Sequence, residues 1–236
     1  MFVVAIDGPA GSGKGSVCKK VADLTGLVNI DTGVTYRAVT LATIRENYKI
    51  EEKEKICNLL NNIKIEFKKI DEKEKYFLNG EDVTEQIRTK EVNEMVSPIA
   101  AIKEVRIRMV ELQRQLAEGK DIIMEGRDIG TYVFPDANIK IYLDAKVEER
   151  AKRRYEEVYN KNNNITYEEI LKSLKLRDYN DMYNKEIGAL KIADDAIVID
   201  TTKLSIEEVV EKINNIIITN DEYIEIIANK TKKYLK

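Results

Sequence analysis

Short apolar runs bounded by turn residues recur along the chain at Phe2–Ile6, Leu27–Ile30, Ile122–Met124, Ile139–Leu143 and Ala196–Ile199. Each is rich in β-branched residues and lacks polar alternation, which predicts strands buried on both faces, as in a parallel sheet. Helical patterns lie between them. Val17, Val21, Ala22 and Leu24 fall on one face after the first run, and Ser205-Ile206-Glu207-Glu208 has capping-box spacing ahead of Val209, Val210 and Ile213. Alternating strands and helices predict an α/β chain with a five-stranded parallel sheet flanked by helices.

The connection from Asp31 to Asp121 breaks this rhythm, because a simple crossover needs only a dozen or so residues and this one has roughly 90. It must hold a subdomain. Ile63, Ile65 and Phe67 alternate with polar residues, and Tyr76-Phe77-Leu78 ends in Asn79-Gly80, a hairpin turn signal, so a small antiparallel sheet is expected. A helix with the stripe Ile102, Val105, Met109, Leu112 and Leu116 follows. The expected layout is a core of residues 1–32 and 118–236, an inserted domain of residues 33–117, and a polar lid over residues 150–168 with an exposed turn at Lys161–Asn164.

Composition narrows the chemistry. Of 236 residues, 43% are hydrophobic and 34% charged, and no apolar run is long enough to span a bilayer. The net charge of −3 argues against a nucleic-acid binder, and two cysteines, Cys18 and Cys57, fit a reduced cytoplasmic protein without a disulfide framework. Histidine is absent, so catalysis must rest on Arg, Lys, carboxylates and bound metal.

Gly8-Pro9-Ala10-Gly11-Ser12-Gly13-Lys14-Gly15-Ser16 sits between the first strand and the first helix, the context of a phosphate-binding loop. Glycines let the backbone approach phosphates closely, the helix N-terminus supplies N–H groups, and Lys14 reaches the β- and γ-phosphates. Gly15 holds the place where the general pattern has Ser or Thr, and Ser16 follows, so Ser16 is the candidate hydroxyl for Mg²⁺. This variant is the one found in nucleoside monophosphate kinases. The Asn-Lys pairs at Asn160, Asn184 and Asn229 lack the following Asp of a GTPase base-reading motif.

Asp31-Thr32-Gly33-Val34-Thr35-Tyr36-Arg37 begins where the second strand ends, and strand carboxyl ends bind ligands in open α/β sheets. Thr32 and Arg37 are placed to hold a phosphate with Tyr36 packed beside it; the alternative is a turn into a helix capped by Thr32. Glu125-Gly126-Arg127-Asp128 ends the third strand: Glu125 suits the Mg²⁺ shell, and Arg127 suits a bridge between phosphates unless it merely pairs with Asp128. Arg106 borders the apolar stripe, where its head reaches either water or a ligand. Arg150, Arg153 and Arg154 crowd one helix as a phosphate clamp or a solvated face. Arg177 and Asp181 share a helix face, which also fits a plain ion pair.

Taken together, Gly8–Ser16, Asp31–Arg37, Ser97 to Arg106, Gly126-Arg127-Asp128-Ile129-Gly130, Phe134-Pro135-Asp136-Ala137, and Arg177-Asp178 with Asp181 resemble bacterial cytidylate kinases from Phe2 to about Ile216. The resemblance implies a P-loop NTPase-type core with an inserted monophosphate-binding domain and a lid. It implies transfer of the γ-phosphoryl group of MgATP to CMP and dCMP by a monomer, with Lys14, Arg127, Arg150 and Arg154 stabilising the transferred group. Thr32, Arg37 and Arg127 would hold the CMP phosphate, Ser97, Arg106 and Asp128 would read cytosine, and Arg177 and Asp181 would meet the ribose. Such a carboxylate accepts from the cytosine amino group, whereas the uracil carbonyl would oppose it. Three positions depart from the family: Thr32 for Ser, Glu125 for the common Asp, and Asn184-Lys185 then Gly188 where an Arg and a Pro are usual, with Lys185 as the substitute cation. The competing readings are a kinase for UMP, AMP or shikimate, and a non-catalytic ATP-binding module.

Overall fold

The computed structural model describes residues 1–71, 73–159, 165–183 and 187–234. In chain order the elements are β1 Val3–Asp7, α1 Lys14–Thr25, β2 Val28–Asp31, α2 Thr32–Arg45, α3 Lys53–Leu60, β3 Ile65–Ile70, β4 Lys73–Leu78, β5 Glu81–Asp82, α4 Lys90–Ala100, α5 Lys103–Ala117, β6 Ile122–Gly126, β7 Ile139–Asp144, α6 Val147–Tyr159, α7 Tyr167–Tyr183, β8 Ile197–Asp200, α8 Ile206–Ile218 and α9 Asp221–Tyr234. The chain forms two compact units. One comprises Met1–Ile30 with most of the chain after Ala117, and the other is Asp31–Leu116.

The first unit is built on a five-stranded sheet of order β2-β6-β1-β7-β8. β1 is central, and its pairings with β6 and β7 and that of β7 with β8 are parallel. β1 and β6 are buried at every residue, which is why they read as unbroken apolar runs rather than alternating ones. Phe2, Val4, Ile6, Ile123, Ile141 and Leu143 form a core with Val17 and Val21 of α1 and Val209, Val210 and Ile213 of α8. The capping box at Ser205 is present: its hydroxyl accepts the Glu208 N–H, and Glu208 accepts the Ser205 N–H. α9 braces the amino-terminal side of the sheet. Tyr223 lies 5.5 Å from Phe2 and donates to Thr25 O, and Lys230 pairs with Asp121.

The second unit has its own core of Val34, Val39, Ile56, Ile65, Leu78, Ile87, Ile99, Val105 and Met109. Its three-stranded sheet has the order β3-β4-β5 with antiparallel pairing. Asn79-Gly80 is a hairpin turn, with both residues at positive φ (51° and 85°) and Leu78 paired with Glu81. The turn joins β4 to β5, a third strand of only two residues that the sequence reading did not include. Among the described residues no helix is long and apolar enough to cross a membrane.

Candidate active site

Within the first unit, the carboxyl ends of β1 and β6 gather the charged residues singled out from sequence. Directly after β1 the chain turns through Gly8, where a Cβ would fall 2.1 Å from Leu143 O, so only glycine fits. Gly11 and Gly13 sit at φ 77° and 90°, the left-handed region that glycine enters without strain. Because Gly13 is the residue ahead of α1 and has no side chain, the first N–H groups of the helix are left to the loop and to any anion it holds.

Lys14 is buried and folds back along the loop, its Nζ donating to Gly8 O (2.8 Å), Pro9 O (2.8 Å) and Ser12 Oγ (3.3 Å). Burial and the nearby positive charge of Arg127 push its ammonium pKa down to about 7, against the opposing pull of Glu125 and Asp7. An ammonium under that stress is matched to an incoming polyanion.

Glu125 is buried beside the first turn of α1; a Cβ on Gly15 would lie 3.1 Å from its Oε1. That contact explains why glycine stands where the general loop pattern has Ser or Thr: the longer Glu fills the space. Ser16, the next residue, is exposed. One hydroxyl and one carboxylate are hard oxygen donors of the kind Mg²⁺ takes while keeping several waters, so the residues fit that ion.

Arg127 donates through Nε to Asp181 Oδ2 at 2.8 Å and through Nη1 to Gly126 O. This pair links the β6 tip to α7. Asp128 is buried, and its carbonyl accepts the N–H of Tyr132 and Val133 in a single wide turn. Asp7, which ends β1, accepts the N–H of Ile129 (2.8 Å) and Gly130 (2.7 Å). Burial raises its carboxyl pKa to about 6 against those two hydrogen bonds.

The arginines of α6 divide. Arg150 is buried, donating to Ala10 O of the phosphate loop, to Ala145 O, and through both Nη atoms to Asp178. Arg153 donates to Thr201 O and Thr202 O, and exposed Arg154 pairs with Glu157. Arg150 is thus buried against the loop, while Arg154, one helical turn on, is exposed. Arg177 lies on α7 with Asp181. Lys185 and the turn at Lys161–Asn164 lie outside the described residues.

In the second unit, Thr32 is the first residue of α2 and is buried, but the cap is Asp31, which accepts the Val34 N–H at 3.3 Å. Gly33 leaves room for that carboxylate, since a Cβ there would sit 2.9 Å from Asp31 Oδ1 and push the side chain aside. Arg37 donates to Ile87 O (3.2 Å) and Asn93 Oδ1 (2.6 Å). Asn93 is held in turn by donating to Arg88 O and Thr89 O. Arg106 is 3% exposed, so its head is buried rather than in water; it donates to Tyr36 Oη and lies over the Tyr36 ring. Ser97 is half-buried on α4. Asn93 and Asp7 escaped the sequence reading. Asn93 gives no local signal, whereas Asp7 carries the same mark as Glu125, a carboxylate at the tip of an apolar run.

The cytidylate kinase family profile matches residues 4–219. The cytidylate kinase of Caldicellulosiruptor bescii is 48% identical over 210 residues, covering 89% of this chain and 92% of that protein. That of Fusobacterium nucleatum is 47% identical over 213 residues (90% and 95%), and that of Bacillus subtilis 47% over 210 (89% and 93%). A crystal structure of an uncharacterized protein from Eubacterium ventriosum gives a TM-score of 0.50 at 13% identity, covering 93% of this chain and 99% of that one, a likeness of fold alone.

Proposed function

The chain belongs to the cytidylate kinase family, and on that premise we propose how its residues transfer the γ-phosphoryl group of ATP to the 5′-phosphate of CMP and dCMP. The observation that carries the reading is the union, within one unit, of the Lys14 loop with the Glu125–Asp128 strand tip.

The loop amides and Lys14 bind the ATP phosphates, and the N-terminus of α1 adds its dipole. Lys14 moves from the carbonyls of Gly8 and Pro9 onto phosphate oxygens as the anion enters. Ser16 and Glu125 would hold Mg²⁺, which when bound neutralises charge on the phosphate oxygens. Arg127 is assigned to the phosphoryl groups, with Asp181 aiming its guanidinium; Arg150 and Arg154 are assigned to the same charge, Arg150 from its present station on Ala10 and Asp178. The acceptor phosphate is an anion at neutral pH and needs no strong base, which suits a chain without histidine. Positioning and charge neutralisation then supply the rate.

For the acceptor, the second unit offers Thr32, Tyr36 and Arg37 to the phosphate and Ser97 and Arg106 to cytosine. Asp128 is assigned to the cytosine amino group, and Arg177 and Asp181 to the ribose. Lys185 is assigned as a point charge near them. Residues 33–117 are accordingly the monophosphate-binding domain, and residues 150–168 the lid that excludes water. Single-chain activity in the cytoplasm completes the reading.

An acceptor panel in a coupled ADP-release assay tests it. CMP and dCMP are expected to support turnover, UMP weakly, and AMP and shikimate not at all. ATP binding without CMP-dependent ADP production would instead identify a binding module.

A further inference from the structure

We infer that Asp7 is a positioning residue for the acceptor: its carboxylate fixes the turn that presents Arg127 and Asp128, in register with the phosphate loop. The inference rests on the CMP kinase reading above and assigns a role to a residue outside the substrate contacts.

The turn after Asp128 is wound wider than an α-helix, with Val133 N donating to Asp128 O and Phe134 N to Ile129 O, five residues apart. Its opening N–H groups, those of Ile129 and Gly130, have no acceptor inside the turn. Asp7 supplies one, Oδ1 to Ile129 and Oδ2 to Gly130, at 2.8 and 2.7 Å. Two converging N–H donors call for an acceptor-only group. An asparagine would satisfy one and set its own NH₂ against the other. A Cβ at Gly130 would crowd the Lys140 side chain at 3.2 Å but meet Asp7 Oδ2 only at an ordinary 3.5 Å.

Asp7 is 5% exposed, and its carboxyl group is held well above the ordinary range by burial, so the charge opposes folding. A costly charge retained at a strand tip points to a task other than stability. The task follows from its neighbours. Asp7 precedes Gly8, whose carbonyl anchors Lys14, and it grips backbone one and two residues beyond Asp128. A single side chain thus ties the donor loop to the acceptor-reading turn.

The test is steady-state kinetics of Asp7→Asn with both substrates varied, alongside thermal melts. Wild-type turnover with CMP is measured first, and its absence overturns the reading of function rather than this one. In Asp7→Asn the KM for CMP is expected to rise at least about 10-fold, the KM for ATP to change less than about threefold, and the melting temperature not to fall. In an Asp128→Asn background the same substitution is expected to add less than about threefold, because Asp7 acts through that residue. Asp7→Ala, which removes both acceptor oxygens, is the second variant and is expected to shift the KM for CMP in the same direction. An unchanged KM for CMP, a parallel rise in both KM values with a lower melting temperature, or failure of both variants to fold would overturn the role.

Discussion

Gly15→Ala isolates the contact between the phosphate loop and the β6 tip. The new Cβ would lie 3.1 Å from Glu125 Oε1 and 3.8 Å from Oε2. Relief comes from the flexible end of Glu125 retreating a few tenths of an ångström, at a rotamer cost of about 0.5–1.5 kcal/mol. Against this, alanine in place of glycine at the second position of α1 contributes up to about 1 kcal/mol of helix propensity. The two nearly cancel, so the melting temperature should move by less than about 4 °C. Activity is expected to respond more strongly. A misplacement of 1 Å costs about 100-fold, so a shift of a few tenths costs about three- to tenfold in kcat, with a matching rise in the Mg²⁺ concentration for half-maximal rate. The assay is a Mg²⁺ titration of ADP release for wild type, Gly15→Ala, Glu125→Asp and the double variant. Because Asp withdraws the carboxylate from the alanine, the double variant should lose little beyond Glu125→Asp, a coupling of about 0.5–1.5 kcal/mol. Additive losses, or a Gly15→Ala enzyme with unaltered Mg²⁺ dependence, would refute the argument.

Three further outcomes follow from the same geometry. Lys14→Met should abolish turnover while the melting temperature stays within about 4 °C, since burial and Arg127 already oppose the ammonium charge; turnover near wild type would remove its assigned role. Asn93→Ala, by taking away the 2.6 Å acceptor of Arg37, should raise the KM for CMP about three- to tenfold and leave that for ATP unchanged; equal shifts in both would contradict it. Asp7 has a folded pKa raised from 3.8 to about 6, so its contribution to stability is present in full below pH 3.8 and lost as pH rises through 6. From pH 7 to pH 5 wild type should therefore gain about 1.3 kcal/mol relative to Asp7→Asn in urea unfolding, and a difference independent of pH would show that Asp7 titrates normally.

The central strands β1, β6 and β7 were legible because they are buried along nearly their whole length and stand out as apolar runs with charged or glycine termini. The edge strands β2 and β8 are buried at only one residue each, against the expectation that every run is buried on both faces. The phosphate loop was legible because its geometry needs glycine at fixed places. Other features are set by contacts between residues far apart in sequence and leave no local trace. Arg150 reaches Ala10, 140 residues away, and Asp178, 28 away. Spacing on α6 alone does not separate it from exposed Arg154. Asp31 and Thr32 are both capping types, and only the backbone path at the end of β2 selects Asp31. Arg106 reads from periodicity as a border residue. In the fold its buried head meets Tyr36, 70 positions earlier.

The central place of β1 has a consequence for synthesis on the ribosome. Its hydrogen-bonding neighbours begin at Ile122 and Ile139, so at about 5–20 residues per second the strand waits roughly 6–23 s for the first of them. Meanwhile Asp31–Leu116, whose apolar cluster closes among its own residues, can finish folding. The nascent chain thus carries a completed insert behind an apolar strand with both edges open, and that interval is when it depends most on chaperones.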